Sequence, residues 1–108
     1  MYAINERSTL ILNIKFYDED SALVVPDSAT YKIDDIGSGT AITASTNITG
    51  LASSKDIHIT YTENRILAEA NQEEIRRVTV VFLYATSTKQ GTAYYDYKIK
   101  NLSGVTTP

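Results

Sequence analysis

The chain has 108 residues, of which 21% are charged and 43% hydrophobic, and a net charge of −3. That is enough chain to close one core, in the balance of a folded protein, and the acidity argues against a nucleic-acid-binding surface. Cysteine is absent, which excludes a disulfide framework and thiolate chemistry.

Eight Tyr and two Phe with no Trp, alongside many Val, Ile and Thr, lean the composition towards β structure. Residues 1–7 lack the basic start and apolar run of a signal peptide and show little apolar periodicity, so they are expected to form a flexible tail. No apolar run is long enough to span a membrane.

Residues 8–17 read as the first strand, with Leu10, Leu12, Ile14 and Phe16 on one face. Asp18-Glu19-Asp20-Ser21 ends it as an acidic turn without the Gly-spaced ligands of a calcium loop. Leu23, Val24 and Val25 then run into Pro26, which cannot donate to a ladder and suits a sheet edge. This makes them a candidate partner contact. Residues 28–34 form the second strand around Tyr31 and Ile33, and Gly37-Ser38-Gly39 turns the chain. That turn has neither the length nor the Lys-Ser/Thr ending of a phosphate loop.

Residues 40–48 make a weaker strand, and residues 55–62 a clear one with Ile57, Ile59 and Tyr61 facing in. His58, the sole histidine, faces out, so no zinc cluster or triad is expected. Residues 63–72 favour a short helical crossover, with Ile66, Leu67 and Ala70 positioned to dock on the sheets. Arg76 and Arg77 point to opposite faces of the next strand and read as solvated charge or a simple ion pair. Val78, Val80, Phe82 and Tyr84 alternate, and Tyr95, Tyr97 and Ile99 resume that alternation after the polar break at residues 87–91. A β-hairpin with a Gly-containing turn is predicted. Tyr94 faces outward and is a further candidate contact.

Strands at roughly ten-residue spacing predict an all-β fold, an antiparallel β-sandwich of about seven strands with a closed barrel as the alternative. The predicted core comprises Leu12, Ile14, Phe16, Tyr31, Ile33, Ile57, Ile59, Val80, Phe82, Tyr97 and Ile99. No paired acid and base, metal set or cofactor motif accompanies it. Asp34-Asp35 and Glu73-Glu74 are sequence neighbours that diverge on extended chain.

The strand sequences T-L-I-L-N-I-K-F-Y-D-E-D, V-P-D-S-A-T-Y-K-I-D-D, D-I-H-I-T-Y, R-R-V-T-V-V-F-L-Y and Y-Y-D-Y-K-I-K-N-L come in this order. Their order resembles the small immunoglobulin-like structural proteins of tailed bacteriophages. The likeness rests on Tyr31, Ile33 and Asp35 in one strand and on Tyr95, Tyr97, Ile99, Asn101 and Leu102 in the last. It implies a single immunoglobulin-like domain over residues 1–108, with flexible tails at 1–7 and 103–108. It also implies a non-enzymatic virion part made in the host cytoplasm: a head decoration, a neck or head–tail adaptor, or a fibre anchor. Such a protein takes no cofactor or metal. It binds capsid, portal, neck or tail proteins in multiple symmetric copies, and neither nucleic acid nor membrane. The competing expectation is a cell-surface or carbohydrate-binding adhesion module of the same fold. The Cys–Trp–Cys set of antibody domains is missing.

Overall fold

The computed structural model describes residues 1–102. The two longest strands arise where the alternation is longest. β6 (Glu73–Tyr84) and β7 (Lys89–Lys100) are antiparallel, paired from Glu73↔Lys100 to Tyr84↔Lys89 without a register shift. The other strands are β1 (Tyr2–Asn5), β2 (Leu10–Lys15), β3 (Ser28–Asp35), β4 (Ala41–Asn47) and β5 (Ser54–Ile59). A five-stranded sheet has the order β1-β7-β6-β3-β4, and a two-stranded sheet pairs β2 with β5. The described residues are thus all-β, with seven strands in two sheets and no helix.

The period-two pattern places one row of side chains between the sheets. Leu10, Leu12 and Phe16, with Ile57 and Ile59, meet Ile33, Val78, Val80, Phe82, Tyr97 and Ile99 in one cluster, and Ile14 and Tyr31 pack at its margin. The predicted core residues are all in this cluster or against it. Phe16 meets Phe82 edge-on at 5.0 Å between ring centroids, within the range of favourable aromatic contacts.

Phe82 also explains Gly91. The polar break does not turn at Gly91: the turn comes earlier, at residues 85–88, and Gly91 lies within β7 opposite Phe82. A Cβ at Gly91 would stand 2.2 Å from Phe82 Cζ, so the ring occupies the space a side chain would need. The turn itself is built from Ala85, Thr86 and Ser87 at φ of 55°, 57° and 60°, a left-handed run made without glycine. Ser87 N–H donates to Asp27 Oδ2 at 2.7 Å and holds it in place.

Three further expectations are corrected. Residues 1–7 are not a free tail throughout, because Tyr2–Asn5 form β1 in parallel register with Tyr97 to Lys100 of β7. The tail expected at residues 103–108 lies outside the described residues. Residues 63–72 form turns, not a helical crossover, for a reason found in the buried charges described below. Finally, β5 stops at Ile59, and Tyr61 is exposed on the turn that follows, not inward-facing.

Replacing Phe82 with Ala should lower unfolding free energy by about 3–5 kcal/mol in urea titration. Gly91→Ala should also destabilise, by about 1–3 kcal/mol, because Phe82 must leave its rotamer to admit the methyl. In the Phe82→Ala background that second penalty should disappear.

Candidate interaction site

Arg76 is fully buried, which corrects its reading as a solvated or simply paired charge. Its Nε donates to Asp35 Oδ1 at 3.0 Å and its Nη2 to Glu74 Oε1 at 2.5 Å. Nη2 also donates to Arg65 O at 2.9 Å. The alternation that sends Arg77 outward sends Arg76 inward, and Asp35 stands opposite Arg76 in the β3–β6 register. Two carboxylates and one guanidinium therefore share one end of the core.

Further donors complete the carboxylates. Glu74 accepts Leu67 N–H at 2.9 Å, Ala68 N–H at 3.1 Å and Asn71 Nδ2 at 2.9 Å. Asp35 accepts Ser38 N–H at 3.0 Å and Ser38 Oγ at 2.7 Å. Beside them Tyr97 O–H donates to the buried Asn64 Oδ1 at 2.6 Å, and Asn64 Nδ2 donates to Ser8 O at 2.8 Å.

This cluster is why residues 63–72 are not helical. Thr60 and Glu63 do form a reciprocal capping box: Thr60 N–H and Oγ1 donate to Glu63 Oε1 at 2.9 and 3.0 Å, and Glu63 N–H reaches Thr60 Oγ1 at 3.3 Å. A helix would then need the Arg65 carbonyl and the Leu67 and Ala68 amides for its own ladder. Arg76 and Glu74 take them instead. The segment is held by charge-assisted bonds to β6, not by a helical ladder of its own.

Burial alone would push both carboxyls up. For Glu74 the bonds from Leu67, Asn71, Ala68 and Arg76 win, and for Asp35 those from Ser38 and Arg76, so both lie below the ordinary carboxylate range. A cleft of about 490 Å³ opens beside Asp35, Ser38, Leu67, Asn71 and Glu74. The charged groups at its wall are committed to internal bonds. Among the described residues no buried side-chain nitrogen or oxygen lacks a partner. The cluster holds β3, β6 and the loop after β5 together.

The exposed surface offers different chemistry. Leu23 and Val25 are 55% and 58% exposed, flanking Val24, which packs against the core and donates its N–H to Phe16 O at 2.9 Å. The segment is not a strand: one bridge, Tyr17↔Leu23, connects it to the chain after β2. Pro26, expected to guard an edge, is itself buried.

Tyr94 is 66% exposed, and the Arg77 guanidinium lies 4.3 Å from its ring centroid, covering one face. Arg77 in turn grips Asp96 through Nε at 2.8 Å and Nη2 at 3.0 Å, which holds the Asp96 carboxyl below its usual range. His58 is exposed opposite Ile11. In the acidic turn, Asp18 accepts the Asp20 and Ala22 amides at 2.9 Å each. Glu19 pairs with Lys89 at 2.6 Å.

A second opening, about 170 Å³, separates β2 from β7 and is lined by Leu12, Ile14, Phe16, Val80, Ala93 and Tyr95. It exists because two strands face five. Tyr95 has the inward parity of Tyr97 and Ile99, yet it is 37% exposed since no strand covers it. The alternation gives Tyr95 its face, but the width of the opposite sheet is not written in that strand. Comparison of the chain with known protein families, curated proteins and solved structures gave no match.

Arg76→Met should cost about 3–5 kcal/mol, because it strands two buried carboxylates. With folded-state carboxyl values depressed, their contribution is fully present above the unfolded values of about 4 and is lost as pH falls through the folded ones. Urea stability should therefore be flat from neutral to mildly acidic pH and fall below about pH 4. Glu74→Gln should lower the neutral plateau and flatten that acid limb.

Proposed function

We propose that this protein is a non-enzymatic structural component of a tailed-bacteriophage virion, an immunoglobulin-like sandwich acting by contact with other virion proteins. The observation that carries the reading is the division of chemistry between interior and surface. The buried polar groups Asp35, Asn64, Glu74 and Arg76 are spent on internal bonds, while Leu23, Val25 and Tyr94 stand exposed. Surfaces of that kind serve recognition, with anchors of aromatic and aliphatic type.

The order of strand motifs supports the phage assignment, and two packed sheets support the sandwich. The immunoglobulin likeness departs in its division of five strands against two. A sugar-binding role would use an open aromatic face, and Arg77 already covers one side of Tyr94.

The test is gradient sedimentation of particles released from cells carrying the gene in its natural genomic setting. The protein should co-sediment with heads, tails or whole virions at a fixed copy number. Replacing Leu23 and Val25 together by Glu should reduce its share of the particle fraction at least severalfold while leaving its thermal unfolding unchanged. Recovery of the wild-type protein only in the unassembled fraction would overturn the reading.

A further inference from the structure

A third side chain joins Leu23 and Val25 at the surface. The antiparallel bridge Tyr17↔Leu23 sets Tyr17 beside Leu23, and Tyr17 is 48% exposed. Val24 turns to the core, so Leu23 and Val25 point the opposite way, with Tyr17 on their side. The patch is held from several directions. Asp18 N–H donates to Ala22 O at 2.9 Å, and the Asp18 carboxylate accepts the Asp20 and Ala22 amides. Glu19 meets both Lys89 and the Tyr84 hydroxyl, and Asp27 holds the hairpin turn at Ser87. A contact surface fixed in this way gives up little conformational freedom on binding.

Its charge is one-sided. From Tyr17 to Asp27 the chain carries four carboxylates, those of Asp18, Glu19, Asp20 and Asp27, and no basic residue. Lys89 pairs with Glu19, and Lys15 precedes Tyr17 by two positions, on the same face. Even with both lysines counted, this end holds an excess of two negative charges in a chain whose net charge is −3.

We propose that Tyr17, Leu23 and Val25 dock into an apolar depression ringed by lysine and arginine on a different protein. The inference rests on the reading of the protein as an interaction module and gives the partner's chemistry at that surface. The three side chains supply the apolar anchors, a tyrosine among them. The carboxylates set the sign of the partner's rim, because complementary potentials steer the encounter and like charges across an interface are costly. The same sign decides the occupant. A second copy meeting this patch about a two-fold axis would bring its own four carboxylates against these. Nucleic acid and anionic lipid surfaces present phosphates and are repelled. A basic-rimmed protein surface fits both the apolar centre and the acidic border.

The test is photocrosslinking of the full chain in intact cells carrying the gene in its natural genomic setting, with p-benzoylphenylalanine in place of Tyr17. Irradiation should join position 17 to a peptide of another protein. Mass spectrometry of the joined peptide should find Lys and Arg in excess of Asp and Glu around the attachment point. Asp20 is exposed, so its side chain can be changed without touching the core. Asp20→Arg should lower the crosslink yield severalfold and Asp20→Glu should keep it, with thermal unfolding unchanged in both. A crosslink to a second copy, to nucleic acid or lipid, or to a neutral or acidic stretch overturns the proposal. So does an undiminished yield with Asp20→Arg, or no crosslink at all. If position 17 joins nothing while the wild-type protein enters particles at fixed copy number, the structural role stands and this contact alone is lost. A basic-rimmed partner found outside any particle keeps the docking chemistry and removes the virion role.

Discussion

The structure depends on a buried arginine. Arg76 stands at the end of the core with Asp35 from the adjacent strand and Glu74 from its own, all three withdrawn from water. Three ions so placed are stable only if each remaining lone pair and proton is met, because desolvating a charge costs several kcal/mol that the ion pair alone does not recover. Here the remainder comes from the backbone of Arg65, Leu67 and Ala68 and from Ser38 and Asn71. The loop is thus a ligand of the cluster, and the cluster is the scaffold of the loop. Neither has its geometry without the other.

This reciprocity explains what the sequence disclosed and what it hid. The strands were readable wherever one face alternates against another, as at Leu10, Leu12 and at Val78, Val80, Phe82. The face those side chains take depends on local pattern alone. Residues 63–72 misled because their helix propensity and the Thr60–Glu63 capping box are true local signals. They lose to three strong bonds from β6 that involve residues up to eleven positions away in sequence. Arg76 misled for a related reason. A charged residue at an inward strand position is ordinarily a sign that the face is wrong, unless partners are known. The partner Asp35 is 41 positions away, and only the β3–β6 register brings it there. β1 was hidden by its brevity, since Tyr2–Asn5 owes its strand state to β7 and not to its own periodicity.

The candidate surface was legible in part. Leu23, Val25 and Tyr94 are as exposed as their positions suggested, while Val24 turned inward with the bridge at Tyr17. The open half of β7 was not legible, because an edge is a property of sheet width and not of one strand. The fold is therefore uneven along the long hairpin. Ionic bonds lock one end of the five-stranded sheet, and the other half of the hairpin leaves residues 89–96 of β7 without a second neighbouring strand among the described residues.

The most direct test of this account is amide hydrogen exchange at Leu67 and Ala68. Both residues lie outside any strand or helix, and their amide protons are bonded only to the buried Glu74 carboxylate. If the charged cluster and the loop stand or fall together, these two amides should exchange as slowly as those of central β6, opening only with global unfolding. Exchange at the rate of an ordinary surface loop, with β6 still protected, would contradict it.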